Sequence, residues 1–118
     1  MESNSEVNLL RIFMSSTDKY KHTPLFEVIV YEAKRYGIAG ATVLKGAMGY
    51  GASSKVTNTR FWELTEKIPI VIEMVDESEK IMKFFETIKP VLEKSGKGCI
   101  ATMEKASVIY YKTGITPQ

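Results

Sequence analysis

The spacing of apolar residues along the chain predicts both strands and helices. Residues 68–75 carry an apolar side chain at every second position, so this segment has one fully apolar face and one mixed face, as a half-buried strand does. Other short segments are rich in strand-forming residues. Four main strands are therefore predicted, at residues 8–14, 41–48, 68–75 and 99–104, and residues 106–111 are a candidate for an extra strand.

The first predicted helix spans residues 24–36, where apolar side chains recur at helical spacing. Thr23 and Pro24 form a typical helix start, because a hydroxyl caps a backbone N–H and a proline at the first helical position loses no hydrogen bond. Gly37 follows at the position of a left-handed C-terminal cap. The sequence thus marks both ends of this helix.

The second predicted helix spans residues 78–94 and carries a stripe of aliphatic and aromatic side chains. Asp76 precedes Glu79 at the spacing of a capping box, and Ser78 is a competing cap. Pro90 falls inside the helical pattern and cannot donate the usual backbone hydrogen bond. A kink or a break is therefore expected immediately before it.

The order strand, helix, strand occurs twice, which predicts an α+β fold. The architecture is a ferredoxin-like sandwich (βαββαβ), a four-stranded antiparallel sheet with two helices on one face. The other face is expected to be more apolar than a small monomer usually leaves exposed, which favours self-association. Its apolar members are Leu9, Phe13, Val43, Val71 and Val75, diluted by Arg11, Lys45 and Glu73.

Composition and charge exclude several classes of protein. The 118 residues predict a single domain, with residues 1–6 as a polar tail that lacks the features of a signal peptide. Basic and acidic residues are nearly balanced, with a net charge of +2, which does not favour nucleic-acid binding. No uncharged stretch approaches the length of a membrane span. Cys99 is the single cysteine, so no internal disulfide forms. A cytoplasmic protein without membrane insertion is expected.

No catalytic or metal-ligating arrangement is predicted. His22 lies in a polar loop with no nucleophile or carboxylate fixed beside it by spacing, so a solvated residue is the simpler interpretation. Cys99 begins a strand, where a small buried residue is more common than a nucleophile. The acidic residues at 76, 77 and 79 are explained by helix capping and the helix dipole. None of these features supports an enzyme.

The glycine-rich segment after the second strand is the most informative candidate site. Lys45 is followed by Gly46, Gly49 and Gly51. Glycines let backbone N–H groups approach an anion, although a flexible hairpin-like connection explains the same spacing. A second glycine-rich turn, at residues 95–98, carries a lysine and is by itself an ordinary helix stop.

The strings DKY, PL, GIAGATVLKG, GYGASS and PIVIE occur in this order between about Leu9 and Lys112. Together they resemble the PII-like signalling proteins, and more closely a PII-like group defined as a domain of unknown function. The resemblance implies a homotrimer of ferredoxin-fold subunits that binds adenine nucleotides in the clefts between them. It also implies that a long loop, here the mobile residues 51–64, changes conformation and contacts a target protein.

The resemblance also implies a set of ligand-binding residues. The base of the loop matches Lys45, Gly46, Gly49 and Gly51, and the turn nearest the phosphates matches residues 96–98. Lys112 matches a basic residue that reaches the phosphates from a neighbouring subunit. Tyr50 and Tyr110 are candidate stacking surfaces for a base. The full candidate set is Lys45, Gly46, Gly49, Tyr50, Gly51, Gly96, Lys97, Gly98, Tyr110 and Lys112.

The expected function is that of a non-enzymatic regulator that senses a small anionic ligand, with an adenine nucleotide as the candidate. It would act on a partner protein, such as a membrane transporter or channel, by ordering the loop at residues 51–64. One alternative is a metal-tolerance or scaffold trimer similar to the CutA proteins. Another is a small enzyme that uses the cleft between subunits.

Overall fold

The structure, a computed structural model, describes residues 1–52 and 67–114. The mobility predicted for residues 51–64 lies, from residue 53 onward, outside the described residues. The described elements, in chain order, are β1 (Glu6–Ser15), β2 (Lys19–Tyr20), β3 (Thr23–Pro24), α1 (Leu25–Tyr36), β4 (Gly40–Lys45), β5 (Pro69–Glu77), α2 (Ser78–Lys94) and β6 (Ile100–Ser107).

Four of the strands form one sheet in the order β4-β5-β1-β6, and every neighbouring pair is antiparallel. β1 lies in the interior and pairs with β5 on one side and β6 on the other. Both helices bury their apolar stripes in a single core cluster with side chains of β1 and β5. The predicted ferredoxin-like sandwich is confirmed.

The core lies between the two helices and one face of the sheet. The alternation predicted for β5 is confirmed, because Ile70, Ile72 and Met74 are all 0% exposed while the residues between them are only partly buried. Full burial of a side chain of this size contributes about 1.5–3 kcal/mol. The core residues are Leu10, Ile12, Met14, Leu25, Ile29, Ala33, Ile70, Ile72, Met74, Ile81, Phe84, Ile88 and Leu92.

The start of α1 differs from the prediction, whereas its end agrees. The hydroxyl of Thr23 makes no capping bond, because Thr23 and Pro24 are extended and pair with residues 19–20. The backbone N–H of Leu25 donates instead to the carbonyl oxygen of Asp18, at 2.8 Å. Gly37 ends the helix with φ 90° and ψ 25°, the predicted left-handed cap.

The start of α2 also differs, because the predicted capping box is wrong. Asp76 belongs to β5, and its carboxylate is buried at 3% residue exposure. It accepts hydrogen bonds from the backbone N–H groups of Ala39 (2.9 Å) and Glu77 (2.7 Å), and it pairs with Lys80 Nζ at 3.2 Å. The acid therefore joins three elements, β5, α2 and the turn before β4, instead of capping one helix.

The break considered near Lys89 and the candidate extra strand at residues 106–111 are both wrong, whereas a kink near Lys89 stays a prediction. α2 continues through Pro90 without a break. Pro90 and Glu86, four residues earlier, are both exposed, so water can satisfy the carbonyl that loses its partner. Residues 106–111 form no separate strand, because β6 continues to Ser107 and Val108 then bonds to the backbone near the N-terminus.

The open face of the sheet carries different β4 residues from those predicted. Val43 lies opposite Ile72 and Lys45 opposite Ile70, so both share the helix side of the sheet. Leu44 lies opposite Val71 and Thr42 opposite Glu73, so these are the β4 side chains on the open face. The prediction failed because β4 is a mostly exposed edge strand, where the sequence gives no contrast between buried and exposed positions.

A row of four apolar residues crosses the open face from one edge of the sheet to the other. Leu44 faces Val71, Val71 faces Phe13, and Phe13 faces Ile100. Leu44, Phe13 and Ile100 are 46%, 37% and 47% exposed. We call these four residues the apolar row. Its exposure is consistent with the apolar open face that the sequence predicts.

A charged cluster lies beside the apolar row. Arg11 Nε donates to Glu73 Oε2 at 2.7 Å, and Arg11 Nη1 donates to the carboxylate of Glu104. The hydrogen bond to Glu73 and then that to Glu104 raise the pKa of Arg11 above its ordinary value. The open face therefore supplies its own partners for this arginine.

We expect Asp76→Ala to lower the free energy of unfolding by about 2–3 kcal/mol, because hydrogen bonds to charged groups contribute about 1.5–3 kcal/mol. Glu79→Ala is the matched control, since Glu79 pairs with Lys83 at the same i,i+4 spacing but both side chains are exposed. Urea unfolding of both variants measures the difference. An equal loss in the two variants would contradict the structural role assigned to Asp76.

Candidate functional site

The candidate ligand-binding residues lie in three separate places. The first group follows β4, the second joins α2 to β6, and the third follows β6. The first comprises Lys45, Gly46, Gly49, Tyr50 and Gly51, the second Gly96, Lys97 and Gly98, and the third Tyr110 and Lys112.

The sheet separates these groups within one chain. β4 and β6 are opposite edges, three strand spacings or about 14 Å apart. The first two groups nevertheless share one end of the sheet, where β4 ends and β6 begins. The third group lies at the other end, because Ser107 pairs with Glu6 at the start of β1. The eight residues of β6, a length of about 26 Å, lie between the turn that carries Lys97 and the segment that carries Lys112.

The turn between α2 and β6 contains one residue in the left-handed backbone conformation. Gly96 has φ 72°, and Gly37 and Gly96 are the glycines with positive φ among the residues described. The hydroxyl of Ser95 donates to the carbonyl of Leu92 at 2.8 Å and accepts from the N–H of Lys97 at 3.3 Å. The N–H of Gly96 donates to the carbonyl of Glu93 at 3.4 Å, so both of these backbone donors are used within the turn, and Lys97 offers an anion its side-chain charge.

A surface cavity of about 620 Å³ borders this turn. Its lining includes apolar side chains from α2 and β6, two positive charges from Lys89 and Lys97, and one negative charge from Glu93. An anion with an apolar or planar part fits this combination of lining groups. The lining residues are Phe85, Lys89, Leu92, Glu93, Gly96, Lys97, Gly98, Cys99 and Ala101.

Sequence reasoning missed the α2 side of this cavity. Phe85, Lys89 and Glu93 recur at a spacing of four residues, which places them on one side of a helix. That spacing was the available signal, but only the packing of α2 beside β6 shows that this side borders the glycine turn.

Cys99 lies in the cavity wall and is partly buried. Burial, followed by the negative charge of Asp18, raises the pKa of the Cys99 thiol. A raised pKa keeps the thiol protonated at neutral pH, and the thiol is a poor nucleophile in that form. The interpretation of Cys99 as a small structural residue agrees with this environment.

The third group is associated with the N-terminus and not with either glycine segment. The backbone N–H of Tyr111 donates to Ser3 Oγ at 2.9 Å, while Tyr110 and Lys112 are exposed. His22 is exposed at the turn between β2 and β3. Within residues 1–52 and 67–114, no group of three side chains is arranged to hold a metal ion. None of the helices described there is long and apolar enough to cross a membrane.

Comparison with known proteins places residues 7–108 in the DUF190 family, described as "Uncharacterized ACR". A UPF0166 protein of Aquifex aeolicus is 36% identical over 103 residues, which cover 86% of this chain and 92% of that protein. A UPF0166 protein of Methanocaldococcus jannaschii is 32% identical over 91 residues, covering 77% and 83%.

Solved structures share the fold at lower identity. A putative PII-like signalling protein from Thermus thermophilus has a TM-score of 0.60 at 21% identity, covering 88% of this chain and 90% of that one. CPII from Thiomonas intermedia, in a structure bound to ADP and bicarbonate, has a TM-score of 0.64 at 17% identity, covering 90% and 91%. The chain therefore belongs to the DUF190 family, and its fold is that of the PII-like signalling proteins.

Proposed function

We propose that this protein is a non-enzymatic regulator that assembles as a homotrimer and binds an adenine nucleotide in clefts between its subunits. The observation that carries the proposal is the separation of Lys97 from Lys112 along β6. A strand of about 26 Å is longer than a nucleotide, so a site that uses both lysines would draw them from different chains. A neighbouring chain that presents its own C-terminal segment to the glycine turn would complete the site.

The open face supports self-association. The apolar row leaves large side chains in water, and each Å² of apolar surface removed from water contributes about 25 cal/mol. Arg11 is already paired with Glu73 and Glu104, so a neighbour could cover this face without leaving that charge unpaired. The face thus suits contact with further copies of the chain.

The α2–β6 turn and its cavity support an anionic ligand. Lys97 and Lys89 place two positive charges at the cavity, against one negative charge from Glu93. The apolar part of the cavity lining suits the base or ribose of a nucleotide. The ADP in the CPII structure, a protein of the same fold, makes an adenine nucleotide the first ligand to test.

Regulation would follow from the ligand's contact with the segment that begins at Lys45. A ligand held by two chains stabilises one arrangement of the adjoining backbone over others, which is a shift in population and not a chemical step. A partner protein would then recognise that arrangement. The expected contact through residues 51–64 stays a prediction.

Light scattering at micromolar concentration is expected to give three times the chain mass of 13.3 kDa. Leu44→Asp places a charge in the apolar row and should dissociate the assembly, because an unpaired charge is costly to bury. Tyr31→Asp is the control, since Tyr31 is exposed on α1, away from the open face. A monomeric wild-type protein, or equal dissociation by both variants, would refute the trimer through this face.

Calorimetric titration with ADP is expected to show binding that Lys97→Ala and Lys112→Ala each weaken by about 1.5–3 kcal/mol, the value of a hydrogen bond to a charged group. Lys83→Ala is the control, since Lys83 is exposed on α2 and pairs with Glu79. Both tested variants should keep the oligomeric mass. No binding of adenine nucleotides to the wild-type protein at millimolar concentration would contradict the nucleotide proposal.

A further inference from the structure

The glycines that follow β4 lie against the ring of Pro69, at the start of β5. A Cβ atom placed on Gly46 would lie 3.2 Å from Pro69 Cβ and 3.4 Å from Pro69 Cγ. A Cβ atom on Gly49 would lie 3.3 Å from Pro69 Cγ and 3.7 Å from Pro69 Cβ. Contacts near 3.3 Å are shorter than carbon atoms prefer, so a side chain at either position would press on the ring.

Pro69 has little freedom to move away. The N–H of Gly46 donates to the carbonyl of Pro69 at 2.7 Å. The preceding residue, Ile68, makes two hydrogen bonds to Ser16. The carbonyl of Ile68 accepts from the N–H of Ser16 at 2.8 Å, and the N–H of Ile68 donates to Ser16 Oγ at 3.0 Å. The ring is therefore held between β4 and the end of β1.

Backbone conformation does not explain why glycine occupies positions 46 and 49. Neither Gly46 nor Gly49 has a positive φ, so other residues could adopt the same backbone angles. Gly51 provides a contrast, because a Cβ atom there would meet nothing within 4 Å. The contact with Pro69 thus distinguishes the first two glycines from the third.

We propose that Pro69 is a positioning residue for the segment that carries the first group of candidate ligand contacts. Gly46 and Gly49 lack side chains so that the backbone can lie directly on the proline ring, and this contact fixes the course of the chain from Lys45 to Ala52. The contact itself is independent of the proposed function, whereas its consequence for a ligand rests on that function.

A Cβ atom on Gly46 would lie nearest to Pro69 Cβ and one on Gly49 nearest to Pro69 Cγ, which gives a test by double substitution. Gly49→Ala is expected to lower the melting temperature by about 4 °C. Pro69→Ala removes Cγ, so the effect of Gly49→Ala should largely disappear in the Pro69→Ala background. Gly46→Ala should stay destabilising in that background, because alanine retains the Cβ atom, and should be relieved only in a Pro69→Gly background.

Gly51→Ala is the control and should leave the melting temperature unchanged in both the wild-type and the Pro69→Ala backgrounds. The proposal is overturned if Gly49→Ala lowers the melting temperature as much in the Pro69→Ala background as in the wild-type background. It is also overturned if Gly46→Ala and Gly49→Ala respond to Pro69→Ala in the same way.

A second readout separates positioning from stability. At a temperature well below melting, ADP affinity should fall about tenfold in Gly49→Ala and recover in Gly49→Ala/Pro69→Ala. Pro69 does not position the ligand contacts if Gly49→Ala binds ADP with wild-type affinity. This conclusion holds even if Gly49→Ala lowers the melting temperature and Pro69→Ala restores it. If ADP fails to bind the wild-type protein, the nucleotide proposal fails, while the melting temperatures still decide whether the contact with Pro69 exists.

Discussion

The antiparallel register between β1 and β5 decides which side chains enter the core and which lie on the open face of the sheet. It places Ile12 opposite Ile72 in the core and, one residue further, Phe13 opposite Val71 on the open face. The same register aligns Arg11 with Glu73, so the charge on the open face has a partner from the adjacent strand. A shift of one residue would exchange the two faces and expose the core.

This register also determines where the candidate site can form. With β1 and β5 in the interior, β4 and β6 are the edges of the sheet, and the two glycine segments lie at those edges at one end of it. The C-terminal segment follows β6 to the opposite end, where it bonds to residues near the N-terminus. In the proposed trimer, symmetric copies would bring these peripheral segments of different chains together.

The sequence predicts the fold well where a local pattern decides the structure. The alternation in β5 and the left-handed cap at Gly37 are of this type, and both are confirmed. Prediction from the sequence fails where a residue outside the local motif makes the hydrogen bond that the motif would supply. Asp76 bonds to Ala39 instead of capping α2, and the N–H of Leu25 bonds to Asp18 instead of to Thr23. The place of Lys89 beside the glycine turn likewise depends on packing that no local pattern contains.

A ligand site that two chains complete should be restored by complementation between variants that each lack one of its lysines. Lys97→Ala and Lys112→Ala chains are unfolded together, refolded as a mixture and titrated with ADP. Every mixed trimer would contain one cleft in which both lysines are native, so we expect binding of wild-type affinity in a fraction of the sites. If the mixture binds no more tightly than the two variants refolded separately, Lys97 and Lys112 do not meet across a subunit boundary, and the account is contradicted.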